Sequence, residues 1–268
     1  MAVTRRGYIF GAFISSVLSV LLIVVALASD SWVTSTATAP IQASDSSIRY
    51  GLFRGELIIR EFITETENTL YMTCVPELGV CALSCKTNQL AREMEVRALA
   101  SGFRPNTACG STTTVNTEDP LTIRPVISFA FYVCLITVLI IQLVLALGSA
   151  GLAILNATKN PTETIFGLPG CLWSNVAAAL VGVIVMLMFG IYWLTSGLKD
   201  HLAITHIALG LFEPGPGLGY SYWLLIVACL CSTTNVVLIQ LRAYLLERDP
   251  PPPTIKVENH SDGTIFLY

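Results

Sequence analysis

Charged residues are scarce in this chain of 268 residues: Asp, Glu, Lys and Arg make up 12% of it, whereas hydrophobic residues make up 53%. The charged share is about half that of a typical soluble domain, so an ordinary water-soluble protein is excluded. The net charge of −3 and the lack of a basic stripe exclude a protein that follows nucleic-acid phosphates. The composition indicates an integral membrane protein.

Four stretches contain no Asp, Glu, Lys or Arg: residues 8–28, 126–155, 171–198 and 221–241. Each is long enough to cross about 30 Å of hydrocarbon as a helix. We therefore predict one membrane domain over residues 1–241, with a large loop at residues 29–124. Residues 242–268 are predicted to form a disordered tail that contains four consecutive prolines.

The flanking cations predict the orientation. Lys and Arg collect on one side of the four spans, with Lys199 alone in the short loop opposite. The residues on the cation-rich side are Arg5, Arg6, Lys159, Arg242, Arg248 and Lys256. Since cytoplasmic segments carry the excess of Lys and Arg, both termini are expected in the cytoplasm and residues 29–124 outside the cell. The alternative is a signal peptide cleaved after Ala26-Leu27-Ala28, but an apolar run of 21 residues exceeds the usual signal core and favours a retained span.

Cysteines cluster in the large loop, at Cys74, Cys81, Cys85 and Cys109. Because the outer side of the membrane oxidises thiols, we expect disulfides among them. Four cysteines allow three pairings, and the sequence does not choose among these. A zinc site has less support because no C-x2-C pair or neighbouring histidine accompanies the cluster.

The large loop also shows two elements of secondary structure. Residues 57–63 are rich in branched and aromatic side chains and follow Gly51 and Gly55, which predicts a hairpin or small sheet. Leu90, Met94 and Ala98 recur every four residues, as in a short amphipathic helix. That apolar face either covers the sheet or binds a partner.

The sequence shows no motif that is typical of catalysis, ion transport or metal binding. Only neutral polar residues interrupt the spans, namely Gln142, Asn175, Asn235 and Gln240, and we expect these to hydrogen-bond between helices. No nucleophile–base pair, phosphate loop or metal motif is visible, and the spacing of His201 and His206 does not suit two ligands on one helical face. We expect neither an enzyme nor a cofactor.

Several motifs resemble a known family. Trp32 followed by Gly51-Leu52-Phe53 is similar to the W...GLW signature of the claudin and peripheral-myelin superfamily. The segment from Tyr50 to Glu56, YGLFxGE with Gly55 at its sixth position, resembles a motif of the clarins. We expect Gly51 to permit a turn or a close backbone approach, and Leu52 and Phe53 to pack the loop onto the helix ends. A segment before the third span also matches, through Lys159, Pro161, Glu163, Thr164, Gly167 and Gly170. A segment in the fourth span matches through Asn235, Leu238, Ile239 and Leu241, and the final residue is a tyrosine. Two features depart from the clarin pattern, since the large loop has no glycosylation sequon and no cysteine soon after YGLF.

The resemblance implies a fold and a role. The fold would be an all-α membrane protein: a claudin-like four-helix transmembrane bundle with a small, disulfide-stapled, β-rich first extracellular loop. The role would be to organise specialised plasma membranes of sensory cells, such as hair bundles or synapses, through membrane lipid, membrane proteins or channel components and an actin-linked scaffold. A claudin-like paracellular barrier and an auxiliary subunit of an ion channel are the alternatives, and a homo-oligomer is compatible with each.

Two segments near the cytoplasm have local interpretations. Asn160, Pro161 and Glu163 suit the start of a helix as its N-cap, first and third residues, or else form a docking point. Phe266-Leu267-Tyr268, at the carboxyl end, could add as a strand to a PDZ domain, and the prolines before it could act as a spacer or as an SH3-type ligand.

Overall fold

A computed structural model describes residues 2–38, 45–61, 64–106, 108–121, 124–158, 165–197 and 213–248. Five α-helices lie within these ranges: α1 (Ala2–Ala28), α2 (Gln89–Ser101), α3 (Phe129–Thr158), α4 (Leu168–Thr195) and α5 (Tyr220–Arg248). Nine strands accompany them: β1 (Val33–Thr38), β2 (Asp45–Tyr50), β3 (Arg54–Glu61), β4 (Thr64–Val75), β5 (Val80–Ser84), β6 (Phe103–Pro105), β7 (Val115–Pro120), β8 (Ile127–Ser128) and β9 (Glu213–Leu218). A short 3-10 turn, Pro76–Leu78, links β4 to β5.

The four long helices are α1, α3, α4 and α5, and each is long and apolar enough to cross a membrane. Their positions confirm the four spans expected from the sequence, with ends shifted by a few residues. α5 runs to Arg248, because the segment after the last apolar residues still consists of good helix formers. The chain is a multi-pass membrane protein.

The predicted all-α class is wrong. Seven strands form one antiparallel sheet in the order β8-β5-β4-β3-β2-β1-β9, and β6 pairs with β7 in a second, two-stranded sheet. The large sheet forms a half-barrel and is a major part of the fold. It also extends beyond the first loop, since β9 lies between α4 and α5 and pairs with β1.

The sheet follows from alternation along its strands. In β1 and β2, Val33, Ala37, Ile48 and Tyr50 are buried, whereas Arg49 between them is exposed. Buried residues two apart lie on one face of a strand, so this face packs onto the ends of the long helices. One hydrophobic core runs from the sheet into the bundle and includes Leu57 and Leu70 of the sheet together with helical residues. Sheet and bundle therefore share a core at what we call the sheet-side ends of the long helices.

β9 was not predicted because its sequence, EPGPGL, combines two prolines with two glycines. Proline is tolerated in sheets at edge strands, and β9 is the last strand of the sheet. The backbone N–H of Gly219 donates to the Trp32 carbonyl, so odd-numbered residues here face β1. Pro214 and Pro216 are then at positions that face away from β1, where their missing N–H groups lower the number of donors.

Candidate functional site

Trp32 ties the sheet to the bundle. Its indole N–H donates to the Ala26 carbonyl at the end of α1, at 2.6 Å. Its main chain accepts from Gly219 at 2.8 Å and donates to the Tyr50 carbonyl at 2.9 Å. The ring is 1% exposed and meets Phe189 of α4 edge-to-face at 4.9 Å between centroids. One residue thus connects α1 and α4 through its side chain, and β2 and the residue after β9 through its main chain.

The turn between β2 and β3 carries the YGLF motif. Leu52 is buried, and its carbonyl accepts a 2.9 Å hydrogen bond from the Tyr132 hydroxyl of α3. The expectation that Leu52 packs against the helix ends is confirmed. The same expectation for Phe53 is wrong, because Phe53 is 48% exposed. The turn closes with Gly51 N–H donating to the Arg54 carbonyl, and its two central residues point in different directions.

Two glycines of the motif are required by close backbone approaches. A side chain at Gly51 would collide with the Ser29 carbonyl and approach the Asp30 Cα to 3.0 Å. At Gly55 it would meet the Arg49 carbonyl at 2.6 Å. Glu56 ends the motif, and its carboxylate accepts from the Arg49 guanidinium at 2.6 Å on the neighbouring strand. We call Trp32 and residues 50–56 the junction.

Gly219 and Ser221 belong to the same contact region, but sequence reasoning missed them. A Cβ at Gly219 would collide with the Ser31 carbonyl, and Ser221 N–H donates to that same carbonyl at 3.1 Å. The Ser221 hydroxyl also bonds to that of Ser29. The only signal was a Gly-Tyr pair before the fourth span, which is too common to stand out.

Disulfides join the four loop cysteines as expected. Cys74 and Cys81 are directly opposite each other in β4 and β5, with their Cα atoms 4.0 Å apart. Cys85 and Cys109 connect the end of β5 to the segment after β6, at a sequence separation of 24. These pairings consume the thiolates that a metal ion would need.

Lys86 reinforces the second disulfide from the neighbouring position. Its ammonium donates to the Asn106 side-chain oxygen at 2.7 Å, to the Asn106 carbonyl at 3.0 Å and to the Ala108 carbonyl. Burial lowers the pKa of Lys86, and the negative charge of Glu95 partly offsets that lowering. Glu95 itself is buried in α2 and accepts from the Ser84 hydroxyl. Glu95 thus holds α2, and Lys86 holds Asn106 and Ala108, against the end of β5.

Helix α2 covers the sheet, although not with the face that was predicted. Val96, Ala98 and Leu99 are buried, and Val96 and Leu99 pack with Val75 and Ala82 of the sheet. Ala98 is buried as expected, but Leu90 and Met94 are 63% and 41% exposed. Small Ala91 and hydrogen-bonded Glu95 take the inward positions, which periodicity in apolar residues could not show.

A polar cluster links all four long helices. Asn235 of α5 donates to the Ser16 hydroxyl of α1 at 2.8 Å and to the Asn175 side-chain oxygen of α4 at 3.0 Å. Ser149 of α3 lies 3.3 Å from Ser16 and 3.2 Å from the same Asn175 oxygen. The predicted interhelical hydrogen bonds are thus confirmed for Asn175 and Asn235. Gln142 is buried, whereas Gln240 is exposed.

The turn before α4 is described only in part. Gly167 is the N-cap of α4, and a Cβ at Gly170 would collide with the Ile165 carbonyl. Asn156 of α3 donates to the Phe166 carbonyl at 2.9 Å and closes the turn. The predicted helix start at Asn160, Pro161 and Glu163 lies outside the described residues. The same holds for His201 and His206, for the proline run and for the possible PDZ ligand Phe266, Leu267 and Tyr268.

A small cavity of about 20 Å³ lies beneath the junction. It is bounded by Trp32, Tyr50 and Leu52 on the sheet side and by Phe131, Phe189 and Tyr192 of the helices. The rings of Phe131 and Tyr192 stack at 3.8 Å and form one wall. The Tyr50 hydroxyl is buried and has no hydrogen-bond partner among the described residues. Burial raises the pKa of Tyr50 well above its ordinary value.

No protein-family model matches this chain, and no curated protein matches it. Within the described ranges, no group of three or more His, Cys, Asp or Glu residues is arranged to hold a metal ion. The junction joins the sheet to the helices through aromatic, glycine and backbone contacts. Its geometry suits a mechanical role, that of fixing the sheet on the membrane helices.

Proposed function

We propose that this protein is a clarin-like, non-enzymatic tetraspan that organises specialised plasma-membrane structures of sensory cells, such as hair bundles or synapses linked to actin. The observation that carries the proposal is the junction. Trp32 and the YGLFxGE residues, which carry the resemblance to clarins, are the residues that fix the sheet to the helices. Because the motif that resembles clarins fixes the sheet on the helices, it supports the proposal that the protein acts by holding partners in place.

The continuous core gives that role a physical basis. Sheet residues such as Leu57 and helical residues such as Leu139 belong to one packed cluster. A partner that binds the sheet is therefore held in a fixed orientation relative to the spans. In the proposed topology the sheet faces the outside and both termini face the cytoplasm, so that outer contacts are coupled to an inner scaffold.

The free edge of the sheet bears on the claudin-like alternative. Pro214 and Pro216 supply no N–H at positions that face away from β1, and an edge with fewer donors is a poorer template for adding strands of another copy. This disfavours polymerisation by strand addition at that edge. The proposed partners are instead membrane lipid, membrane proteins or channel components in the bilayer and a PDZ or actin-linked scaffold at the carboxyl terminus.

Affinity purification from sensory-cell membranes tests the proposal. Full-length protein is compared with a variant lacking Phe266 to Tyr268, and both are crosslinked before solubilisation. We expect membrane proteins of the hair bundle or synapse with both forms, and a PDZ or actin-linked scaffold with the full-length form alone.

Two further measurements separate the alternatives. A rise in transepithelial resistance on expression in epithelial monolayers would support a barrier protein and contradict the proposal. Recovery of a single channel, whose currents change when the protein is co-expressed, would support the auxiliary-subunit alternative.

A further inference from the structure

The cavity beneath the junction has the features of a site for one small hydrogen-bond acceptor. Its volume of about 20 Å³ has room for a single water-sized group. Its lining is aromatic and aliphatic and includes three tyrosines, Tyr50, Tyr132 and Tyr192. The hydroxyls of Tyr132 and Tyr192 have hydrogen-bond partners in the protein, whereas that of Tyr50 is buried without a partner among the described residues. A buried hydroxyl that makes no hydrogen bond loses about 1–3 kcal/mol of solvation, so an acceptor at this position would be stabilising.

The depth of the cavity indicates where the acceptor comes from. Phe131 and Leu135 lie in the first two turns of α3, and Phe189 and Tyr192 lie in the last two turns of α4. The cavity is therefore level with the sheet-side ends of the spans, at the boundary between hydrocarbon and head groups. Phospholipid ester carbonyls lie at this boundary, and they are acceptors of the required size.

Two stacked rings belong to the part of the cavity lining that comes from the membrane-facing helices α3 and α4. Phe131 and Tyr192 come from different helices, stack face to face and are both only partly buried. Tyr192 is held by its hydroxyl, which accepts from Ser128 N–H at 3.1 Å. An ester group reaching the cavity would pass beside this pair.

We propose that the cavity is a phospholipid site in which the Tyr50 hydroxyl donates a hydrogen bond to an ester carbonyl of a lipid in the leaflet on the sheet side. The acyl chain of that lipid packs against the exposed apolar surface of α4, which includes Ile191 and Leu194. The site does not depend on the proposed function, because it rests on the cavity and on Tyr50 alone.

The test pairs a change in the protein with a change in the lipid. Purified full-length protein is titrated with dioleoyl phosphatidylcholine and with its diether analogue, which has the same chains and head group but no carbonyl, and bound lipid is counted by native mass spectrometry. Wild-type protein should bind the diester roughly 2- to 10-fold more tightly, the range expected for one neutral hydrogen bond. Tyr50→Phe should bind both lipids equally.

Tyr222→Phe is the matched control, because its hydroxyl donates to the Met186 carbonyl at 3.2 Å and does not line the cavity. It should keep the wild-type preference for the diester. Tyr50→Phe should melt at or above the wild-type temperature without added lipid, since it removes a hydroxyl that has no partner. Equal binding of the two lipids by wild-type protein, as expected if a water fills the cavity, would overturn the proposal, as would a preference that persists in Tyr50→Phe.

Discussion

Gly51→Ala tests whether the junction holds the sheet on the bundle. The added methyl group would collide with the Ser29 carbonyl and lie 3.0 Å from the Asp30 Cα, where carbon atoms prefer about 3.5–4.0 Å. Both atoms belong to the backbone that links α1 to β1, so a side-chain rotation cannot relieve the collision. The chain must instead move residues 29–30 away from the turn.

That movement has a calculable cost. Overpacking of a rigid site destabilises by about 1–3 kcal/mol. The same shift stretches the hydrogen bond from Trp32 N–H to the Tyr50 carbonyl, 2.9 Å in length, which contributes about 0.5–1.5 kcal/mol. We expect a total near 3 kcal/mol, which corresponds to a fall of roughly 6–12 °C in the melting temperature of a domain of 150–250 residues.

The assay is thermal unfolding of purified protein in detergent, together with the fraction of protein at the cell surface. Gly148→Ala and Gly151→Ala are matched controls, because a Cβ at either position meets nothing within 4 Å. Each should be neutral or stabilising by up to about 1 kcal/mol, since alanine favours a helix. A Gly51→Ala variant with the melting temperature of the wild type would refute the close approach and the role of the junction.

The disulfides and Tyr50 give two further predictions. Replacing Cys85 and Cys109 by serine should destabilise the protein more than replacing Cys74 and Cys81. The reason is loop entropy, since the sequence separations of 24 and 7 correspond to about 3.4 and 2.4 kcal/mol. Unfolding in denaturant should show that order, and the reverse order would contradict the prediction. Unreduced, denatured protein should meanwhile show four reactive thiols, from Cys134, Cys171, Cys229 and Cys231. Burial raises the pKa of Tyr50 in the folded protein above its value of about 10 in the unfolded chain. The free energy of unfolding is therefore unaffected by this difference below about pH 10. It falls above that pH, because the unfolded chain then loses the proton that the folded protein keeps. Stability measured from about pH 9 to 11 should therefore decline less for Tyr50→Phe than for the wild type, and equal declines would contradict the burial of a neutral Tyr50.

The sequence predicts the membrane helices well because their signal is local. Each of the four apolar runs lacks charge over its whole length, and no tertiary contact is needed to read it. The end of α5 shows the limit of that signal, since Arg242 marks the end of the apolar run but does not stop the helix. Nothing in residues 242–248 breaks a helix.

The sheet is harder to predict because much of its stability is non-local. The strand β9 pairs with β1 across more than 170 residues of sequence, and its prolines argue against a strand unless it is known to lie at an edge. The exposure of Phe53 and the choice of face on α2 have similar causes. Motif and periodicity suggested that Phe53, Leu90 and Met94 pack inward, whereas the turn geometry and the Glu95–Ser84 hydrogen bond decide otherwise.

At the junction, the sequence identified the residues but only part of their roles. Trp32, Gly51 and Leu52 stood out as a motif, yet the partners of that motif are mostly main-chain carbonyls, at Ala26 and Ser29 among others. Every residue has a main-chain carbonyl, so the amino-acid type does not show which carbonyl will be a partner. The cavity and the unpartnered hydroxyl of Tyr50 likewise depend on the meeting of sheet and helices, which no single segment encodes.

The account depends most on four helices that cross the membrane with the sheet outside and both termini in the cytoplasm. Epitope tags at the N-terminus, near Asn160, near Thr113 and at the C-terminus, each in a separate full-length protein, are stained in intact and in permeabilised cells. Only the tag near Thr113, in the segment between β6 and β7, should be stained in intact cells, and all four should be stained after permeabilisation. Staining of the N-terminal tag in intact cells, or its loss by cleavage after Ala28, would contradict the account.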